Sequence, residues 1–526
     1  MAITGKKARN RSFAAFGHAV RRSIVWRASS ILLSLAYTVL FTTPSLGQTW
    51  RITPLFGVEE TLTNNVQLEP NGVRRGDLVT QLTPGFRVLG TGARSRLEGT
   101  VELPTLLYAR LGSENNRVEP QINLVGKWEA VERFFFVDAS ANVSQQYLTP
   151  LGTRSESLAN ETGNRFTSQA YSVSPNIRSG TGDYSLTLRD NNIWSKGDNS
   201  AVAAAYTNEL VGTLERRPTP VGWAVDVDRA STKFQDQSTQ LIALVRARGL
   251  YQWDPQVRFS VAGGYEHNNL LVDTNNSIIY GGGVSWRPTE RSLVDAYWEH
   301  RFFGGSYRLT IENRTPLSTW SVVASRNIAT YPEQLAALPA GVTVSSELNS
   351  ILQSRIPDAA QRQRFVDQLI ASRGLPSVLT GPVNVYSDQV TLYESVIATA
   401  GLLGARNSLF FNAYRNRQQP ISGTTSLPPD LAALQNNTQY GANVVWSHNL
   451  TPLVTLNASI EASRTVDNAE TGATRWGAVR AGIASPIGPF TRIYGNLRYQ
   501  VQRSNVASAS DYNEAALIVG ITHEFH

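Results

Sequence analysis

Apolar and polar side chains alternate with a period of two along most of this chain, and the alternating runs are joined by connections that are short and long in turn. In 491 to 502, Thr491, Ile493, Gly495, Leu497, Tyr499 and Val501 fall on one face, and Arg492, Tyr494, Asn496, Arg498, Gln500 and Gln502 on the other. Successive side chains of a strand point to opposite faces, so this segment predicts a strand with one apolar and one wet side. The pattern returns at 306 to 312 and at 133 to 147, where Phe135, Val137, Ala139, Ala141 and Val143 oppose Asp138, Ser140, Asn142 and Ser144. Connections such as 90–93, 130–132, 179–182, 289–291 and 487–489 are tight, whereas the interleaved set, including 63–75, 110–118, 149–164, 331–383 and 418–436, is mostly longer and polar. Short turns at one end and long loops at the other mark an outer-membrane barrel, whose turns face the periplasm and whose loops face outside. With 222–250 and 291–315 divided at Asp236 and at Gly304-Gly305, the count reaches about 22 strands, within a range of roughly 18 to 24, and an even number suits a single-chain barrel.

The expected fold is therefore all-β: a transmembrane, antiparallel, up-and-down β-barrel with one short helical insertion. A soluble sandwich or propeller also supplies many alternating strands. The runs here, roughly 11 to 15 residues, are longer than soluble strands and suit a tilted bilayer crossing. Aromatic residues near the run ends, among them Trp128, Phe134, Tyr147, Trp194, Trp253, Trp286, Trp298, Trp320, Trp446 and Trp476, are expected as interfacial girdles. At the C-terminus Leu517, Val519, Ile521 and Phe525 share a face around Gly520. This resembles the assembly signal of outer-membrane proteins, which implies recognition of Gly520 and Phe525 by the barrel assembly machinery; His523 and His526 depart from it.

The charge is concentrated at the N-terminus. Residues 1–47 hold Lys6, Lys7, Arg9, Arg11, Arg21, Arg22 and Arg27 with no acid, followed by the apolar run from Ile31 to Phe41 and a small-residue stretch to Gly47. These are the three parts of a secretory signal peptide, with cleavage expected near Gly47 and the barrel occupying 48–526. Without those seven, basic and acidic side chains are equal in number, so the formal charge of +7 gives no reason to expect nucleic acid as a partner. The absence of Cys excludes disulfides, thiolate metal sites and thiol nucleophiles.

The segment 331–383 breaks the period-two pattern between the fifteenth and sixteenth strands, at the extracellular end. Ser346 to Leu352 reads as one helix; a second, after Pro357-Asp358, carries Phe365, Val366, Leu369 and Ile370 before Gly374 and Pro376 stop it. Leu348, Leu352, Phe365 and Leu369 form the apolar stripe of a gate or constriction, either capping the rim or folded into the lumen. Elsewhere, alternation sends Arg189, Asp295, Glu299, Arg301, Arg308, Glu312, Arg314, Arg492 and Arg498 inward, to stiffen the wall or to meet a solute. The histidines of the mature chain (His267, His300, His448, His523 and His526) are scattered without metal-ligand spacing, and Gly281-Gly282-Gly283 fits close backbone packing inside a strand. No enzyme, metal site or cofactor is expected.

Several short motifs point to a family. Arg51-Ile52-Thr53-Pro54, Thr63-Asn64-Asn65-Val66, Leu82-Thr83-Pro84-Gly85 and Gly90-Thr91-Gly92-Ala93-Arg94 resemble the outer-membrane β-barrel proteins associated with the PEP-CTERM and exosortase system. Ser354-Arg355-Ile356-Pro357-Asp358, Arg373-Gly374-Leu375-Pro376 and Ser387-Asp388-Gln389-Val390 look like that family's central segment. The resemblance covers the mature chain and implies a place in exopolysaccharide biosynthesis. The expectation is a conduit for secreted polysaccharide in the outer-membrane lipid, gated by the insertion and served by a periplasmic polysaccharide-export protein. A non-conducting docking barrel of an export or sorting assembly is the alternative, and a general diffusion porin a third reading.

Overall fold

The computed structural model describes residues 49–525, apart from 271–275, 338–342, 354, 374, 377–378, 380, 422–424, 426, 429–430, 433, 470 and 508. The signal-peptide expectation, Ser354, Gly374 and His526 lie outside the described residues.

The chain forms a closed antiparallel barrel of 22 strands. Strands β1 (Thr49–Thr63) and β2 (Asp77–Thr91) are followed by two that are each interrupted once. These are β3 (Ser95–Glu102 with Thr105–Tyr108) and β4 (Arg117–Val118 with Gln121–Val131). The breaks fall at Pro104 and Pro120, which have no N–H to give to a ladder. Next come β5 (Phe135–Tyr147), β6 (Arg165–Thr181), β7 (Tyr184–Gly197), β8 (Ala205–Arg216), β9 (Val221–Phe234), β10 (Gln240–Gln252), β11 (Val257–Asn268) and β12 (Asn276–Thr289). After β13 (Ser292–Arg301), β14 (Gly304–Arg314) and β15 (Ser318–Ala329) the insertion carries three helices, α1 (Tyr331–Ala336), α2 (Val344–Leu352) and α3 (Ala359–Arg373). The barrel resumes with β16 (Thr391–Leu403), β17 (Asn407–Pro420), β18 (Asn437–Asn449), β19 (Thr455–Asp467), β20 (Ala473–Pro486), β21 (Thr491–Ser504) and β22 (Tyr512–Glu524). The divisions expected at Asp236 and Gly304-Gly305 correspond to the β9–β10 and β13–β14 turns; Asp236 has φ 62° and Gly304 φ 94°.

The compact barrel body comprises Trp50–Gly90 and Arg94–His526. Of the second, separately grouped unit, Thr49 and 91–93 are described, and Thr49 Oγ1 donates to the Thr91 carbonyl at 3.5 Å.

Register fixes which side chains face lipid. Tyr265 and Ile278, Gly263 and Tyr280, Val261 and Gly282, Leu497 and Leu517 pair on the outer face, where Val261, Ile278 and Leu497 are 68%, 69% and 62% exposed. A continuous apolar outer wall of this size is untenable in water and is the wall a bilayer solvates, so the barrel spans the Gram-negative outer membrane. Trp128, Trp194, Trp286, Trp298 and Trp320 are exposed outward near strand ends, as girdle residues. Trp476 is a correction: it faces inward and is buried, roofed by the Arg154 guanidinium 4.3 Å from its ring.

Closure joins β1 to β22 with Leu55 opposite Glu524 and Thr63 opposite Ala516. Two inward networks straddle this seam. Tyr494 of β21 lies across Gly520 of β22 and donates to Glu59 Oε2 of β1 at 2.7 Å. A Cβ at Gly520 would sit 2.3 Å from Tyr494 Cζ, so the glycine is the slot that lets the ring cross. Glu514 of β22 accepts from Arg498 Nη2 at 2.8 Å and from Thr63 Oγ1 at 2.7 Å. Phe525 is half exposed beyond the seam, its N–H donating to the Pro54 carbonyl at 2.8 Å.

Candidate functional site

The insertion is threaded through the lumen. α1 leaves β15 yet packs against β6, β7 and β8, seven or more strands away around the wall, so the chain must cross the interior. Tyr331 Oη donates to Ser168 Oγ at 3.3 Å, and Gln334 Nε2 donates to Tyr393 Oη at 2.5 Å. Pro332 sits in the first turn, where its missing N–H costs nothing, and Glu333 accepts the Thr330 N–H at 2.7 Å. Burial inside this crossing pushes the Glu333 carboxyl up to about 7.

α2 and α3 lie toward the periplasmic end, against the β16–β17 turn and the lower part of β14. Thr343 caps α2 by accepting the Ser346 N–H at 3.1 Å. Val344, Leu348, Ile351 and Leu352 of α2 pack with Val366, Leu375 and Leu379, and with Leu403, Phe410 and Val445 of the wall. Arg373, at the end of α3, donates to the carbonyls of Gly404 and Ala405, both at 3.2 Å, in the short β16–β17 turn. Arg314 of β14 also bonds Gln353. The chain then climbs back: the Val383 N–H donates to Gln439 Oε1 at 2.8 Å, and Asp388 accepts from Gln237 at 2.6 Å at the β9–β10 loop. Of the four expected gate residues, Leu348 and Leu352 are buried and Leu369 packs against the same cluster. Phe365 is a correction: it is 44% exposed, because the face of α3 turned to α2 is Val366, Leu369 and Ile370, and Phe365 lies about 100° away from Val366 around the helix.

A second inward element is the β5–β6 loop, 148–164. Arg154 pairs with Glu461 at 2.9 Å, Glu156 with Arg480 at 2.9 Å, and the buried Asn160 receives Arg498 Nη2 at 3.3 Å and Gln500 Nε2 at 3.1 Å. The sequence flagged this segment only as a long polar loop; its Arg154-x-Glu156 pair is the one signal that it meets a charged wall.

All nine residues expected inward point into the lumen by register. They divide into two groups. Arg189 pairs with Asp138 at 2.6 Å, Glu299 with Arg246 at 2.5 Å, Arg301 with Glu266 at 2.8 Å and Arg498 with Glu514 at 2.8 Å. These tie strands one to three places apart around the barrel and stiffen the wall, as do Arg246 and Arg248 with Asp226 on adjacent strands, which strict alternation through β9 and β10 could have identified. Asp295, Arg308, Glu312, Arg314 and Arg492 form no ion pair among the described residues; Arg314 instead donates to Gln353 and to the Glu290 carbonyl. Glu347 of α2 is pushed up to about 7, first by burial and then by the Glu312 carboxylate.

The plug leaves two clefts at the periplasmic end. One of about 790 Å³ lies between α2 and β12–β15 and is lined by Arg287, Glu290, Arg291, Glu312, Ser346 and Gln353. The other, about 410 Å³, lies under Leu375-Pro376 and is lined by Asn443, Ser459, Arg480, Arg492, Tyr494 and Asn496. Amide, hydroxyl and guanidinium groups around one tyrosine ring can hydrogen-bond a neutral hydroxylated solute. The four described histidines, His267, His300, His448 and His523, all sit on outward register positions. Among the described residues no group of three or more His, Asp or Glu is placed to hold a metal ion. Gly281 and Gly283 face inward against Glu299 and Tyr297, where a Cβ would meet them at 2.7 and 2.8 Å, so the triplet serves packing.

No protein-family model matches the sequence, and no curated protein does. Among solved structures, the siderophore receptor PirA of Pseudomonas aeruginosa aligns at 10% identity and TM-score 0.45, over 92% of this chain and 81% of that one. A mutant of the ferric enterobactin receptor PfeA from the same organism aligns at 10% identity and TM-score 0.46, over 92% and 82%. OmpT, an outer membrane protein of Vibrio cholerae, aligns at 9% identity and TM-score 0.32, over 92% and 100%.

Proposed function

We propose that this barrel is a conduit for secreted exopolysaccharide, with α2 and α3 as the gate. The observation that carries the reading is a lumen occupied by a segment of its own wall connection, anchored at the periplasmic rim through Arg373 and flanked by clefts rich in amide and hydroxyl groups. A flexible, hydrated, largely neutral polymer needs a pore whose walls hydrogen-bond without strong charge selection. The lumen wall supports this, because its inward charges are of both signs and many are paired within the wall, as Arg189 is with Asp138 and Arg301 with Glu266. A periplasmic polysaccharide-export protein would engage the short-turn rim, where Arg373 and Gln353 hold the helices.

The reading of a non-conducting docking barrel is favoured by a different feature, the 148–164 loop, which adds a second, fully hydrogen-bonded obstruction. Planar-bilayer recording separates the two. Deleting 343–379 should raise single-channel conductance well above that of the intact barrel; if both forms are silent while folded, the docking reading stands and the conduit reading falls. A conducting deletion variant that admits salt but excludes neutral dextrans would limit the barrel to small solutes.

A further inference from the structure

The apolar outer wall is broken in one region at the extracellular end. Arg415, Tyr440, Arg464, Arg475 and Arg503 occupy outward positions in continuous register across β17 to β21. Arg415 pairs with Glu394 at 2.7 Å, and Arg503 Nη1 donates to the Gln502 and Tyr512 carbonyls at 2.7 and 2.9 Å. Arg464 and Arg475 are exposed and form no ion pair or hydrogen bond among the described residues. Like charges on directly opposed strand positions repel, so Arg464, Arg475 and Arg503 side by side favour a counter-charge from outside the chain.

Directly below the row, the next outward positions in register are Ala442, Ala462, Gly477 and Val501. The small residues Ala462 and Gly477, beside Val501, leave a groove of about 560 Å³ whose upper edge is Arg464, Arg475 and Arg503. The outward positions beneath are Val444, Ile460, Val479 and Tyr499, so the groove opens onto lipid. A guanidinium fork matches the oxygens of phosphate, and cations are tolerated on a barrel's lipid face only near the interface. A phosphate and an acyl chain one strand step apart describe a single kind of molecule. The arrangement recurs elsewhere on the outer rim, where Lys196 and Lys233 border a cavity of about 400 Å³ formed with Tyr171, Trp194 and Tyr206.

We propose that the arginine row and the groove beneath it bind a phosphate-bearing lipid of the outer leaflet. Its phosphate lies on Arg464, Arg475 and Arg503, and an acyl chain lies over Ala462 and Gly477. The test uses the full barrel in non-ionic detergent, with lipid A, dephosphorylated lipid A and inorganic phosphate as probes, read by native mass spectrometry. The intact protein should retain lipid A at least ten-fold more strongly than the dephosphorylated form. Arg464→Gln/Arg475→Gln/Arg503→Gln should abolish that difference, and Ala462→Trp should weaken lipid A by filling the groove. Equal retention by the triple variant, with heat-modifiable migration intact, overturns the proposal. So does displacement of bound lipid A by inorganic phosphate at equal concentration, which would make this a free-anion site. If the triple variant fails to fold, equal binding of the two lipids by the unmodified barrel overturns the proposal on its own.

Discussion

Replacing Glu514 with alanine tests how the barrel is closed. Glu514 is fully buried and its Arg498 partner is 1% exposed, with Nη2 and Nε donating at 2.8 and 3.3 Å. The same carboxylate accepts from Thr63 Oγ1 across the seam at 2.7 Å and from Asn160 Nδ2 of the inward loop at 3.4 Å. Glu514→Ala strands a buried guanidinium and two buried donors at once. Breaking a buried pair from one side costs about 3–5 kcal/mol, a hundred- to several-thousand-fold change in the folded-to-unfolded ratio. Replacing both partners, Arg498→Met with Glu514→Leu, removes the orphaned charge and should recover most of that loss. Denaturant unfolding in detergent micelles, followed by tryptophan fluorescence, measures both variants. An exposed control, Arg94→Ala, which breaks the Arg94–Glu132 pair at 55% and 65% side-chain exposure, should unfold with the parent. The reasoning fails if Glu514→Ala unfolds at the parental midpoint, or if the double variant is no more stable than Glu514→Ala.

Gly520→Val should reduce the heat-modifiable, assembled fraction by driving the Tyr494 ring off its path to Glu59, and Tyr494→Ala in the same chain should restore part of it; an unaffected single variant would remove the slot from the closure mechanism. Docking of α2 should weaken with rising pH. The Glu347 carboxyl, raised in the docked state from 4.5 to about 7, holds a proton there that the released segment gives up, so docking is strongest below about 4.5 and declines until the pH has passed 7. Limited proteolysis of 343–379 at pH 5 and pH 8 reads this directly, and Glu347→Gln should flatten the difference. In a conducting deletion variant, Arg308→Ala with Arg492→Ala should move the reversal potential toward cation preference, whereas Arg498→Met with Glu514→Leu should not, since that pair is removed whole and its two charges already cancel; equal shifts would contradict the division of inward residues.

Strand number, strand direction and the inward set were legible because each rests on the period-two alternation, which a one-residue slip would invert over an entire wall. The Tyr331–Ala336 helix was not, since six residues complete fewer than two turns and Pro332 reads as a break until Thr330 and Glu333 are seen to cap it. Trp476 was misassigned because its face, Thr474, Trp476, Ala478 and Arg480, mixes one large aromatic with polar residues, and only the distant Arg154 shows which side is wet. For the same reason the inward course of 148–164 had no local signature: its partners Glu461, Arg480, Gln500 and Glu514 lie some 300 residues or more further along the chain.

The two inward elements differ in how completely they satisfy their own polar groups, and this separates a moving part from a fixed one. Among the described residues no side chain of 148–164 itself has a buried polar atom without a partner, its wall contact Arg480 having one at Nε, whereas α2 and α3 themselves carry two, Glu347 Oε2 and Arg373 Nε, with a third on the wall at Arg314 Nε. Each such atom costs about 1–3 kcal/mol while the helices are docked, and water would satisfy it on release. The apolar cluster around Leu348, Ile351 and Val366 opposes that release, so the docked state is held by burial and loosened by polar strain. A segment balanced in this way can be displaced by a partner that supplies modest binding energy at the periplasmic rim. The 148–164 loop, with its ion pairs to Glu461 and Arg480 closed, would stay behind and set the minimum aperture, so enlarging the pore beyond that limit requires Arg154→Ala with Glu156→Ala in addition to removal of the helices.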